Sequence, residues 1–293
     1  MTTTTDPGLS ERHQLVNVAY RLLGSLAEAE DVVQEAYARW YALPAAQRAA
    51  IEAPGGWLTK VAARLCLNLL GSARVRRERY VGDWLPEPLP EPGGDPADRV
   101  ALDESVTMAF LVVLDSMTPA ERVAFVLHDV FRYPFTEVAE ILGRSPAACR
   151  QLATSARRRV RTARKPAPAA RQAEVVRKFK RAWEAGDIGA LVGLLDPGVT
   201  AVGDGGGRAG TRRSPVEGAE ELVRYLLAIA ERLSALELAE CTVNGQPGLL
   251  ARENGVTVTV YAFDLDGERI RNIWAVRNPE KLRLWNTRRA GAA

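Results

Sequence analysis

The chain is poor in the side chains that hold metals and move protons near neutral pH. It has two histidines, His13 and His128, and three cysteines, Cys66, Cys149 and Cys241. Two histidines exclude a histidine-rich metal site. No Cys-x-x-Cys pair occurs, and three widely spaced cysteines make no disulfide framework, which fits a reducing compartment. The Thr-rich segment 1–8 lacks an apolar signal core. No apolar run approaches the roughly 20 residues that a membrane helix needs. A soluble cytoplasmic protein follows, with no membrane contact, metal or cofactor expected.

What is present points elsewhere. A chain of 293 residues with 47% apolar content has room for two or three small domains, each with its own core. The net charge is only +3, but it is unevenly spread. From Arg144 to Lys165 there are eight Lys or Arg residues and no Asp or Glu. A basic block inside a near-neutral protein is an electrostatic footprint for phosphates.

Residues 9–79 have an all-helical pattern, within a first domain over 9–85. Leu15, Val18, Ala19, Leu22 and Leu23 recur at helical spacing until Gly24. Ser25 with Glu28 three residues on is a capping-box pattern for a second helix. That helix turns Val33, Ala36, Tyr37 and Trp40 inward and carries an acidic stripe, Glu28, Asp31 and Glu35. After a loop at Pro54-Gly55-Gly56, a third helix is predicted from Trp57. Leu58, Val61, Ala62, Leu65 and Leu69 would face in, and Lys60, Arg64 and Asn68 out. Residues 86–98 are a Pro/Gly-rich linker.

Residues 99–164 form a second helical domain. Thr118-Pro119 and Ser145-Pro146 are N-cap plus N1 proline signals. A short helix over 135–142, a Gly143-Arg144 turn and a basic second helix make a helix-turn-helix by spacing. Cys149, Leu152, Ala153, Ala156 and Val160 face in. Arg150, Gln151, Thr154, Arg157, Arg158 and Arg161 face out. Arg150 has a donor fork that suits guanine edges, Gln151 a paired donor and acceptor that suit adenine edges, and the later arginines suit phosphates.

Beyond a second linker, 165–172, the texture becomes mixed. Helices are expected near 174–185, 188–195 and 216–233, then strands over 236–243, 249–253, 256–263 and 269–276. Turns at Glu253-Asn254-Gly255 and Asp266-Gly267-Glu268 make hairpins. Helices followed by an antiparallel sheet argue for an α+β domain over 173–286. Gly205, Gly207 and Gly210 fit G-x-G-x-x-G, but no parallel βαβ unit surrounds them, so a protein-contact loop is the preferred reading. The domain has no histidine. Its candidate acids, Asp187, Asp196, Asp204, Asp264 and Asp266, mostly sit beside Gly or Pro, where turn residues are expected anyway.

The linker start is unusual. Tyr80-Val81-Gly82-Asp83-Trp84-Leu85-Pro86-Glu87-Pro88 follows arginines at 74, 76, 77 and 79, yet carries Trp84 and Leu85 with nothing local to bury them. Apolar anchors in a linker suggest docking on another surface.

Five stretches carry a resemblance to a known family. Ala29-Glu30-Asp31-Val32-Val33-Gln34-Glu35 resembles region 2 of extracytoplasmic-function sigma factors, and the helix-turn-helix resembles their region 4. Trp84-Leu85-Pro86-Glu87-Pro88, Asp204-Gly205-Gly206-Gly207-Arg208 and Asn278-Pro279-Glu280-Lys281-Leu282 resemble a subgroup with a C-terminal SnoaL-like cone domain. The resemblance covers nearly the whole chain. It implies that Glu28, Asp31 and Glu35 dock on the clamp of the largest catalytic subunit of core RNA polymerase, whose flap is a further contact. The helix from Trp57 would open and read the −10 promoter element through Lys60, Arg64 and Asn68, with Arg74, Arg76 and Arg77 on the backbone. Many relatives have Asp where Asn68 stands and Asn where Arg64 stands. The recognition helix would read the −35 element, with Arg157, Arg158 and Arg161 clamping phosphates. The cone domain would regulate by packing on the linker at Trp84 and Leu85. Residues after Arg277 would form a tail that can be removed without harm to the fold. Two other readings remain: a stand-alone helix-turn-helix regulator, and an isomerase or cyclase fused to DNA-binding helices.

Overall fold

A computed structural model describes residues 9–77, 82–91, 106–162, 167–212, 214–232 and 236–287. They pack as two units. One carries residues 9–77 and 110–162, the other 82–91, 106–109 and 167–287. The two predicted helical domains therefore share one unit, while the start of the linker belongs with the C-terminal part. Linker residues 92–98 and the segment 163–166 lie outside the described residues.

The first unit is all helix. It comprises α1 (Leu9–Leu23), α2 (Leu26–Ala42), α3 (Ala45–Ala49), α4 (Pro54–Arg77), α5 (Met108–Asp115) from Phe110 on, α6 (Pro119–Phe125), α7 (Phe135–Leu142) and α8 (Pro146–Thr162). Ser25 Oγ accepts from the Glu28 amide at 3.4 Å and starts α2. Thr118 and Glu121 make a reciprocal capping box at the start of α6. A π-helical segment, Val126–Val130, extends α6, with Phe131 N donating to Val126 O across five residues. Gly143 ends α7 in the left-handed region at φ 61°, where a Cβ would be strained.

Burial follows the helical period. Leu15, Val18, Ala19, Leu22 and Leu23 of α1 are buried, as are Val33, Ala36 and Trp40 of α2. The Trp40 ring lies 5.4 Å from Trp57. Helix α4 departs from expectation twice. It starts at Pro54, because proline at the first helical position has its φ preset and needs no N–H partner there. Its buried face is Leu58, Ala62, Cys66 and Leu70, whereas Val61, Leu65 and Leu69 are half-buried. The small residues Ala62, Ala63 and Cys66 let neighbouring helices approach closely, which rotates the contact face.

The second unit lays α9 (Ala169–Glu184), α10 (Ile188–Leu194) and α11 (Ala219–Arg232) on a curved sheet, the α+β cone expected. The strands are β1 (Leu195–Asp204), β2 (Val216–Glu217), β3 (Leu236–Val243), β4 (Gln246–Glu253), β5 (Val256–Asp266) and β6 (Arg269–Val276), in the order β2-β1-β6-β5-β4-β3. The sheet is mixed, which corrects the all-antiparallel expectation: β1 pairs with β6 in parallel. Both β1 and β2 escaped the sequence reading. In β1, Asp196-Pro197-Gly198 looks like a turn, and a register irregularity between Leu195 and Thr200 absorbs it. Val216, expected in a helix, sits in β2, and Gly218 at φ 87° redirects the chain into α11.

An aromatic cluster fills the space between α9 and the sheet. Phe179 stacks edge-on with Phe263 at 5.5 Å and Trp183 with Tyr261 at 5.5 Å, while Trp183 Nε1 donates to Leu226 O at 3.1 Å. Buried aromatics of this size dominate core energetics. A short final helix, α12 (Arg283–Thr287), follows β6.

Candidate nucleic-acid interface and linker clamp

The acidic stripe lies on the outer face of α2. Asp31 and Glu35 are exposed, Glu28 is half-buried, and Glu35 pairs with Arg39 at 2.8 Å. On α4, Arg64 and Asn68 are exposed and Lys60 is half-buried. Lys60 and Arg64 do not point into open solvent alone. Lys60 Nζ lies 3.1 Å from Glu140 and 3.5 Å from Glu137, both on α7, and Arg64 donates to the Glu140 carbonyl at 2.9 Å. The Glu140 hydrogen bond holds the Lys60 ammonium above its ordinary range. Tyr133 donates to Thr59 Oγ1 at 2.9 Å, and Arg122 donates to Leu22 O at 2.8 Å and to Asp115 at 2.9 Å. The first helix of the helix-turn-helix thus sits on the very face of α4 proposed to meet DNA. Side chains of Arg74, Arg76 and Arg77 lie outside the described residues, as does Arg79.

On α8, Arg150, Gln151, Thr154, Arg158 and Arg161 are exposed. Arg150 stacks over the Phe135 ring at 5.7 Å, and Thr154 Oγ1 donates to the Arg150 carbonyl at 2.8 Å. Arg157 differs from its neighbours: its Nε bonds Asp129 at 2.6 Å. Sequence spacing could not reveal Asp129, Glu137 or Glu140 as partners, because each contact crosses between elements.

In the second unit, three sequence motifs meet at one point. Asp204, at the end of β1, is fully buried. Its Oδ2 accepts from the Leu85 amide at 3.0 Å and from Lys281 Nζ at 2.7 Å; its Oδ1 accepts from Gly206 N at 3.0 Å. Lys281 is only 8% exposed, also donates to the Leu85 carbonyl, and lies 4.1 Å from the Trp84 ring centroid. A cation over indole adds to its hold. Gly206 needs its left-handed φ of 62°, and a Cβ there would meet Asn278 Nδ2 at 2.5 Å; a Cβ on Gly205 would strike Ala209 O at 2.1 Å. The glycines therefore serve close approach, not a nucleotide cradle. Arg208 pairs with Glu280 at 3.1 Å, and Glu280 N donates to Asn278 Oδ1 at 3.0 Å. Pro279 is exposed and Leu282 is buried.

The rest of the segment 82–91 is held as well. Leu89 and Asn244 exchange two hydrogen bonds, Leu89 N to Asn244 Oδ1 at 3.1 Å and Asn244 N to Leu89 O at 2.9 Å. Pro90 bridges Val243, and Trp285 Nε1 donates to Pro88 O at 2.8 Å. Asn244 gave no signal in the sequence beyond a turn residue. The tail after Arg277 is not separable: Lys281 and Leu282 are buried, and Asn286 bonds both the amide and carbonyl of Thr257.

Residues 9–76 match the sigma-70 region 2 family and residues 107–160 match sigma-70 region 4. The ECF RNA polymerase sigma factor SigJ of Mycobacterium tuberculosis is 40% identical over 289 residues, spanning 92% of this chain and 90% of the relative. The chain belongs to the extracytoplasmic-function RNA polymerase sigma factors. The probable ECF sigma factor SigI of Mycobacterium tuberculosis is 36% identical over 277 residues, covering 93% and 92% of the two chains. The crystal structure of SigJ aligns with a TM-score of 0.76 at 38% identity, covering 94% of this chain and 96% of that one. As a sigma factor, the protein acts in transcription initiation with RNA polymerase and promoter DNA, and its family is not one of enzymes. Membership replaces the stand-alone regulator as a reading. Among the described residues no helix is long and apolar enough to cross a membrane, and no His, Cys, Asp and Glu cluster is suited to a metal. The three cysteines are free.

One group in the clamp of this sigma factor is poorly matched. Among the described residues Asp83 Oδ2 is buried with no hydrogen-bond partner, and burial, followed by the nearby Asp204 carboxylate, pushes the Asp83 carboxyl above its ordinary range. A raised acid binds more protons in the docked state than when free. Docking is therefore strongest below the ordinary carboxyl range and weakens as pH rises through the raised value. Asp83→Asn removes that penalty. Limited proteolysis of the segment 82–91 from pH 4 to 7 should slow in the variant at the upper end and lose its pH dependence. Equal cleavage of both proteins at pH 7 would contradict this account.

Proposed function

We propose that this sigma factor reads promoters through α4 at the −10 element and α8 at the −35 element, while its second unit holds the linker between them. Glu28, Asp31 and Glu35 offer an acidic stripe to the basic clamp surface of the polymerase, where complementary charge steers docking. Lys60, Arg64 and Asn68 face the −10 strand, with Arg74, Arg76 and Arg77 beyond them on the backbone. Arg150 and Gln151 meet base edges at −35, and Thr154, Arg157, Arg158 and Arg161 meet phosphates.

The observation that carries the reading is the Asp204–Lys281 clamp on Leu85 and Trp84, joined to a region 2 and region 4 pair on one chain. A sigma factor must span two promoter elements, so grasping the segment between its readers limits how far apart they go. The contacts of Lys60 and Arg64 with α7 describe a resting state that DNA must displace. Glu137 and Glu140 hold the positions that phosphates would take.

Run-off transcription with purified core polymerase tests this. The full chain is expected to support initiation at a cognate promoter, and a chain ending near Lys165 is expected to change the preferred spacing between −35 and −10. Core polymerase that initiates no better with the full chain than without it would end the proposal.

A further inference from the structure

A pocket open to solvent lies between α11 and the sheet; its cavity proper is about 40 Å³, and the empty space with its mouth is about 500 Å³. Its walls are apolar, with Leu222, Leu226 and Ile273 among them, and Tyr261, Arg212 and Arg277 supply polar groups. No Asp, Glu or His is among the described lining residues.

Arg277 is the telling residue. One of its terminal nitrogens donates to the Gly210 carbonyl, but Nε is buried and has no hydrogen-bond partner among the described residues. A buried guanidinium nitrogen left unsatisfied is costly unless a ligand completes it. The guanidinium is close enough to act electrostatically on Tyr261, whose hydroxyl burial pushes up to about 12, so that it stays a neutral donor at physiological pH. Arg212, at the same rim, is already engaged by Glu221 at 2.7 Å.

We propose that this cavity binds a small organic acid, with its carboxylate on Arg277 and its hydrocarbon body against Leu222, Leu226 and Ile273. A carboxylate offers two oxygens that match the guanidinium fork side by side. A phosphate would bring more charge than one free guanidinium edge can meet, and it has no apolar body for the walls. With no general base on the walls, the site binds its ligand and leaves it unchanged. The cavity reports directly to the clamp. The Arg277 and Asn278 amides both donate to Asp204 O, at 2.7 and 3.0 Å, and Asp204 holds Leu85 and Lys281 with its side chain. Ordering Arg277 therefore tightens the grip on the linker, and by linkage a docked linker tightens ligand binding.

Hexanoate is a suitable probe on the full chain, with hexanamide as its uncharged counterpart and inorganic phosphate as the anion without an apolar body. Hexanoate is expected to raise the thermal midpoint of the second unit by about 3 °C at roughly ten times its dissociation constant. Hexanamide and phosphate should leave it unmoved. Arg277→Met should abolish the shift by removing the cation, and Leu226→Trp should abolish it by filling the cavity while keeping the cation. Saturation-transfer NMR on the unaltered protein covers the case in which a variant misfolds. Absence of transfer to hexanoate at millimolar concentration, or equal shifts with hexanamide, would overturn the proposal. Neither outcome bears on promoter recognition, which transcription reads separately.

Discussion

Lys281→Met is expected to cost the second unit about 3–5 kcal/mol, because it strands a buried carboxylate. Asp204 has no exposed surface, and its Oδ2 accepts from Leu85 N and Lys281 Nζ. Methionine keeps most of the stem volume but removes the charge, the bond to the Leu85 carbonyl and the cation over Trp84. Coulomb attraction in a desolvated pair offsets desolvation only while both partners remain. The double variant Asp204→Leu with Lys281→Met should recover a large part of the loss, since no charge is then left unpaired. Urea unfolding followed by a probe in the second unit measures it; a chain of two units needs its transitions separated before a free energy is assigned. A single variant within 1 kcal/mol of the parent would show that the pair does not hold the clamp. In transcription, the same variant should behave like a chain with its linker released.

The second large effect is expected at Arg122 in the helical unit. Arg122 is 3% exposed, and it ties α6 to the C-terminal carbonyl of α1 and to Asp115. Hydrogen bonds from a charged donor carry more than neutral ones, and the Leu22 carbonyl and Asp115 would both lose it. Arg122→Met should cost about 3 kcal/mol and speed amide exchange at the end of α1 and across α6 together. Unchanged exchange at α1 with loss confined to α6 would mean that the contact between the region 2 and region 4 helices rests on packing alone. A loosened contact should also free Lys60 and Arg64 from Glu137 and Glu140, which steepens the salt dependence of binding to promoter DNA.

Much of the local structure was legible. The caps at Ser25 and Thr118, the helix over 135–142, the start of α8 at Pro146 and the hairpin turns at Asn254-Gly255 and Gly267 all come from interactions within a few residues. The outward set on α8 was equally readable except for Arg157, half-buried against Asp129, since one helical period decides which side chains share a face. Strand β1 was not, because its Pro-Gly pair carries a turn signal and its partner β6 lies about seventy residues on, in parallel. The inward face of α4 was misjudged in part: Leu58 and Ala62 are buried as expected, but Val61, Leu65 and Leu69 are only half-buried, because large apolar residues outweigh small ones in a pattern, whereas close helix packing favours Ala and Cys.

The candidate sites divide the same way. Trp84 and Leu85 could be marked as anchors from composition alone, and the Asp-Gly-Gly-Gly-Arg and Asn-Pro-Glu-Lys-Leu motifs could be marked as unusual. That Asp204 and Lys281 close on Leu85 could not, since the partners stand 119 and 196 residues from it. Likewise, nothing local links Lys60 to Glu140, 80 residues away. By itself the sequence determined the helices, their caps, the charge on each face and the family. Only the tertiary structure decided which charges meet, because periodicity and capping are short-range effects, while a buried ion pair exists only where the fold removes both partners from water.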